Sequence, residues 1–153
     1  MLAVDSQDTV QLDWTVPETT TVEPDPRIEK LIQFEMIDQT FAKQLIESCE
    51  AKTENVNLCL KHIIGVTSAE SSVFKRCKYN NCFWLMKCDK WGCTLRRFNS
   101  KIEAVNDWLD NYNKRNRSQR VTGQKWLNGK YCASACTYWI SNYNSAISKL
   151  NLE

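Results

Sequence analysis

Eight cysteines crowd into residues 49–136 of a 153-residue chain, and they fall into near neighbours: Cys49 with Cys59, Cys77 with Cys82, Cys88 with Cys93, and Cys132 with Cys136. An even number in sequence-local pairs reads as four short-loop disulfides and an oxidising compartment, although eight cysteines admit about 105 pairings. Each short loop stabilises less than a long one would, because the entropy of closing a loop grows with its length. The competing use of these residues is a thiolate zinc site. The runs C-x4-C, C-x5-C and C-x4-C between Cys77 and Cys93 lie at or beyond the loose end of the two-to-four-residue spacing of structural zinc. A lone histidine, His62, is available to help. We therefore expect disulfides, no metal and no cofactor.

A chain of this length with 42% hydrophobic residues supports one core, and a second independent core is not expected. The formal charge of +2 conceals an asymmetry: residues 1–26 carry six acids and no Lys or Arg, leaving 20 basic against 12 acidic residues in the rest, a net +8. All three prolines, Pro17, Pro24 and Pro26, lie in that acidic, Thr-rich stretch, so residues 1–26 read as a disordered, solvated spacer and 27–153 as the folded domain. A basic domain suits an anionic polymer, whether nucleic acid, cell wall or membrane surface. No apolar run approaches the roughly 20 residues of a membrane span, and no signal peptide follows Met1. The disulfide reading thus implies an export signal or anchor upstream of residue 1, and an extracytoplasmic location.

Helical periodicity begins after Pro26, with Ile28, Leu31, Ile32, Met36, Ile37, Phe41, Leu45 and Ile46 recurring at three- and four-residue steps up to Cys49. A second helix from about Glu54 carries Val56, Leu58, Leu60, Ile63, Ile64 and Val66 toward Glu70, apolar enough to be central and buried. Residues 76–98 break the period with Asn80-Asn81, Asp89, Gly92 and four cysteines, which predicts a loop or short hairpin pinned by two bridges. Ser100 reads as an N-cap with Glu103 completing a capping box. The polar, basic residues 113–130 read as a long surface loop, and a last helix from about Ser134 to Leu150 sets Trp139, Tyr143, Ala146, Ile147 and Leu150 on one side.

Glu70 ends an otherwise apolar helix. Apolar surroundings disfavour the charged carboxylate and raise its pKa, which leaves a proton to donate near neutral pH. Cleavage of a glycosidic bond needs such a donor, because the leaving sugar oxygen must be protonated as it departs. The plainer reading is a solvated carboxylate at a helix end.

Three motifs in order favour the first reading. Ala69-Glu70-Ser71-Ser72-Val73-Phe74-Lys75 resembles the A-E-S-x-[FWY]-G-K segment of the glucosaminidase and lytic-transglycosylase branch of the lysozyme superfamily. Tyr79-Asn80-Asn81-Cys82-Phe83-Trp84-Leu85-Met86-Lys87 is similar to that branch's N-N-x-[FW]-G-[IL]-K. Arg96-Arg97-Phe98-Asn99-Ser100, followed by Glu103-Ala104-Val105, resembles its F-R-x-[YF]-x-S-x-x-[ED]-[AS]-[IV]. The resemblance covers about residues 55–112, and Tyr131-Cys132-Ala133-Ser134 with Trp139 is similar to the closing segment of secreted members. This chain departs from the pattern at Val73-Phe74, which replaces an aromatic-Gly pair, and at Trp84, which follows an aromatic where the family has glycine.

The resemblance implies a mainly helical, α+β lysozyme-like domain in which a short hairpin region lines a cleft. It implies that Glu70 is the catalytic acid, that Ser71 orients its end of the helix, and that Asn80, Asn81 and Phe83 or Trp84 line a sugar-binding cleft. Aromatic faces and amides suit sugar rings and acetamido groups. Tyr79 and Tyr131 are candidate hydroxyl partners. A two-carboxylate mechanism needs a second acid about 5–9.5 Å away; Asp89 is the best-placed candidate, and single-glutamate members let the substrate's acetamido or hydroxyl group serve instead. The expected partner is the glycan strand of peptidoglycan, with no nucleic acid, and the expected reaction is glucosaminidase, muramidase or transglycosylase cleavage. Two alternatives are a degenerate module that grips glycan or protein without cutting, and a nucleic-acid-binding zinc module, which requires free thiolates.

Overall fold

The computed structural model describes residues 23–119 and 136–153. In chain order the elements are α1 (Pro26–Ile32), α2 (Gln39–Lys52), α3 (Val56–Ser71), the strands β1 (Met86–Asp89) and β2 (Gly92–Leu95), α4 (Lys101–Gln119) and α5 (Thr137–Leu150). The described chain is mainly helical, with one two-stranded antiparallel hairpin.

Helical structure begins within the stretch whose composition predicts a spacer. Asp25 caps α1, accepting the Arg27 backbone N–H at 2.9 Å and pairing with its guanidinium at 2.7 Å. That charge-assisted bonding holds the Asp25 carboxyl below its usual range. Pro26 occupies the first turn, where its missing N–H costs nothing. Residues 1–22 lie outside the described residues.

The single helix expected from residue 28 to Cys49 is two helices. After Ile32 the chain turns so that Phe34 and Ile37 both enter the core. Asp38 then starts α2 by accepting the Phe41 N–H at 2.7 Å. An aspartate offering its side chain to the next turn's orphan donor competes with continuation of the preceding helix. The loop expected at 113–130 is also corrected, because α4 runs on to Gln119. Residues 101–119 contain neither Gly nor Pro, so nothing in their backbone chemistry stops the helix. Residues 120–130 lie outside the described residues.

α3 is the central element. Its residues 62–67 are all buried, as happens when a helix is covered on every side. Its most extensive partner is α5, while α2 packs against α1, α3 and α4. Gly65 permits the α3–α5 approach: a Cβ there would fall 2.5 Å from Tyr143 Cδ2 and 2.9 Å from its Cζ. Behind the end of α3, rings pack in a chain. Phe74 meets Phe41 edge-on at 4.9 Å and Phe83 at 6.2 Å, and Phe83 stacks on Trp108 at 4.8 Å.

Three of the expected disulfides are present among the described residues, Cys49–Cys59, Cys77–Cys82 and Cys88–Cys93. The first ties α2 to α3, the second closes the turn before the hairpin, and the third links paired residues of β1 and β2. No described cysteine is free, so the thiolates that a zinc module requires are absent among these residues. Cys132 lies outside the described residues. No described helix is long and apolar enough to cross a membrane.

Candidate active site

Glu70 occupies the last turn of α3, part-buried where α5 and the loop before β1 converge. Burial pushes its carboxyl up to about 6, against the opposing pull of the Trp139 indole N–H, which is directed at it from α5. A second indole closes the other side: Trp84 Nε1 donates to the Glu70 carbonyl oxygen at 2.8 Å. That bond satisfies a last-turn carbonyl that α3 itself leaves without a partner. Two tryptophans from distant segments thus flank one glutamate, Trp84 bonded to its backbone and Trp139 near its carboxyl.

The helix end is tightly bonded. The Thr67 carbonyl accepts the backbone N–H of Ser72, that of Val73 at 2.9 Å and the Ser71 hydroxyl at 3.1 Å. Ser71 is buried, so its role is to anchor this turn rather than to touch a ligand. Three successive residues, Ser72, Val73 and Phe74, then take left-handed backbone with φ of 52°, 52° and 67°. For non-glycine residues this conformation costs roughly 1–2 kcal/mol each. Phe74 is buried completely, which offsets its share.

The next loop repeats the pattern. Tyr79, Asn80 and Trp84 have φ of 55°, 61° and 55°. Asn81 organises the loop: its Nδ2 donates to the carbonyls of Leu85 and Arg96 at 2.8 and 3.0 Å, and its Oδ1 accepts the Leu85 N–H at 2.9 Å. With no exposed surface and its amide fully engaged, Asn81 cannot line a cleft as expected. Phe83 is likewise enclosed, on Trp108, and of the two aromatics it is Trp84 that reaches Glu70. Asn80 donates to the Phe98 carbonyl at 3.0 Å and remains part-exposed. Tyr79 is 42% exposed, with the Arg97 guanidinium 3.7 Å above its ring. Tyr131 lies outside the described residues.

The candidate second acid has a different task. Asp89 is exposed at the hairpin tip, where its Oδ1 accepts the Trp91 N–H at 2.7 Å and closes the turn. Trp139, which the sequence places on one side of the last helix and in the closing segment of the resemblance, is not among the expected site residues. Its four-residue spacing to Tyr143, on which it stacks at 5.4 Å, was visible. What could not be read was the rotation of α5 that brings its indole N–H to Glu70.

His62 lies two turns before Glu70 on the same side of α3, buried near Tyr143 at 6.3 Å. Burial, with a smaller contribution from Lys61, pushes its pKa down to about 4, so it is a neutral structural residue near pH 7. No family model matches the chain, and no curated protein or solved structure matches it either.

Proposed function

We propose that this chain cleaves the glycan strand of bacterial cell wall as a lysozyme-like glycosidase or lytic transglycosylase, with Glu70 as its acid. The observation that carries the reading is a half-buried carboxyl, pushed up to about 6, on a residue whose backbone carbonyl is bonded by the Trp84 indole. Near neutral pH a useful fraction of such a group, about one molecule in ten at pH 7, still carries the proton the leaving oxygen needs. The same group, once ionised, can accept a proton from the incoming hydroxyl.

The motif departures also support the reading. Phe74 and Trp84 stand where the family pattern has glycine, and both keep the positive φ that glycine supplies without strain. At both positions the backbone takes a conformation that glycine adopts freely. The bulk of Phe74 is directed into the core rather than across a cleft.

In this mechanism Glu70 protonates the bridging oxygen as the C–O bond to the departing sugar breaks. The acetamido group of the retained sugar stabilises the electron-poor carbon. Glu70 then takes a proton from water, giving a reducing end, or from the sugar's own hydroxyl, giving an anhydro end. The disulfides fit an extracytoplasmic protein working on that polymer.

Digestion of purified peptidoglycan by the wild type and by Glu70→Gln, with mass spectrometry of released sugars, tests this directly. Soluble fragments from the wild type alone are expected, and their ends name the reaction. No release by either protein, with glycan binding retained, would leave a module that grips glycan without cutting.

A further inference from the structure

Beyond the Glu70 site, an open groove of about 810 Å³ runs between the Tyr79 loop and the strand–loop segment 94–98, with Lys87 and Glu103 at its sides. Its walls are braced to each other. Phe98 N–H donates to the Tyr79 carbonyl at 3.0 Å, and Asn80 Nδ2 returns a bond to the Phe98 carbonyl at 3.0 Å. The size is that of a pocket for a small organic ligand or peptide.

Its charges are unbalanced. Arg96 is matched by Asp107 at 2.7 Å, whereas Arg97 and Lys87 enter no ion pair among the described residues. The Arg97 guanidinium carbon sits over the Tyr79 ring, 3.7 Å from its centroid, with Lys78 Nζ at 5.4 Å from the same ring. A cation–π contact positions a guanidinium, whose N–H fork suits a planar oxyanion. The Tyr79 backbone is left-handed, φ 55°, while the residue is 42% exposed and outside the core, so complete burial does not offset that strain as it does at Phe74. Strain without burial is characteristic of residues held for a ligand.

We infer that this groove binds the carboxylate-bearing peptide arm carried by the wall polymer, with Arg97 and Lys87 taking its carboxylates and Glu103 its side-chain ammonium. The identity of the polymer rests on the function proposed above; the carboxylate chemistry of the groove does not. Glu103 argues against a purely anionic partner such as a phosphate polymer, which would meet a like charge there. Leu95 and Phe98 supply apolar contact for the peptide's methyl groups.

The probe is the free N-acetylated stem tetrapeptide of cell wall, which holds several carboxylates and an amine but no glycosidic bond, so its binding is read independently of cleavage. Titration calorimetry of the full chain should show saturable binding. Arg97→Gln and Lys87→Gln should each weaken it by about three- to tenfold, and a peptide with its carboxylates amidated should not bind. Lys87 is exposed on β1 and outside the core, so Lys87→Gln decides the matter should Arg97→Gln fold poorly. Unchanged affinity in Lys87→Gln, no peptide binding by the wild type, or inorganic phosphate binding as tightly as the peptide would each overturn the assignment. Peptide binding without glycan release retires the cleavage reading and keeps the groove. Glycan release without peptide binding does the reverse.

Discussion

Glu70→Gln should stabilise the fold near neutral pH while abolishing the proposed chemistry. In the unfolded chain the carboxyl titrates near its ordinary 4.5, and in the fold near 6. Below 4.5 it is protonated in both states and imposes no penalty. As pH rises through about 6 the fold must carry a part-buried charge, so stability is lost across that interval and the loss levels off above it. At about 1.4 kcal/mol per pH unit the interval corresponds to about 2 kcal/mol, and solvent screening of a half-buried group reduces this to on the order of 1 kcal/mol.

His62 works in the opposite direction. Its folded pKa of about 4 lies below the ordinary 6.5, so its contribution is complete above 6.5 and is lost as pH falls toward 4. The two titrations overlap in any single stability curve, but His62 is common to both proteins and cancels in their difference. Thermal or urea midpoints of wild type and Glu70→Gln, taken in small steps from about pH 4 to about pH 8, isolate the glutamate. The advantage of the variant should grow by on the order of 1 kcal/mol, about 2–4 °C in midpoint, with most of the growth between 4.5 and 6. Parallel curves, or a variant that loses ground as pH rises, would refute the claim that burial raises this carboxyl.

Other outcomes follow from the packing around the site. Gly65→Ala gains about 1 kcal/mol of helix propensity but forces α5 away from α3, at about 1–3 kcal/mol; a net loss of about 1 kcal/mol is expected by denaturant titration, and a stabilised variant would sink the close-approach argument. Asn81→Ala leaves the buried Leu85 N–H without its acceptor and removes the amide's bonds to the Leu85 and Arg96 carbonyls, so a loss of about 2–4 kcal/mol is expected, with a parallel loss in the proposed cleavage assay because the loop carries Trp84. Cys88→Ser with Cys93→Ser should release the amides of Lys87 and Thr94 to hydrogen exchange while those of α3 stay protected, since the hairpin is almost wholly exposed and relies on its cross-strand bridge. Equal protection of the hairpin in both proteins would contradict that dependence.

How much of this was legible in the chain depends on the range of the interactions involved. The three described disulfide pairs were readable because they are local, and α3 was readable because its middle is densely apolar. The break between α1 and α2 was hidden because Phe34 and Ile37 keep helical spacing while the backbone turns, and the clue was Asp38 placed three residues before Phe41. The extent of α4 was missed because polarity was taken for a loop when no helix breaker was present. Within the candidate site, Glu70 and Trp84 came from a local motif. Trp139 depends on the rotation of α5 against α3, a relation between residues about seventy apart, and no local pattern encodes it. Asn81 and Phe83 were legible as important but not as buried, because a motif marks a position without saying which way the side chain faces.

Two strained residues beside Glu70 show how the chain carries left-handed backbone without glycine. Both Phe74 and Trp84 adopt the left-handed backbone that glycine takes freely, and each offsets the cost differently. Phe74 does so by complete burial between Phe41 and Phe83. The site's exit turn is thereby fastened to the same rings that pack on α2 and α4. Trp84 gains far less from burial; its compensation is the bond to the Glu70 carbonyl and the Asn81 clamp beside it. A glycine at position 84 would relieve the backbone yet release the last turn of α3, and a glycine at position 74 would relieve it yet open a cavity in the core. The two strained aromatic positions and the positioning of Glu70 are therefore coupled, because Phe74 and Trp84 are the side chains that fasten the end of α3 in place.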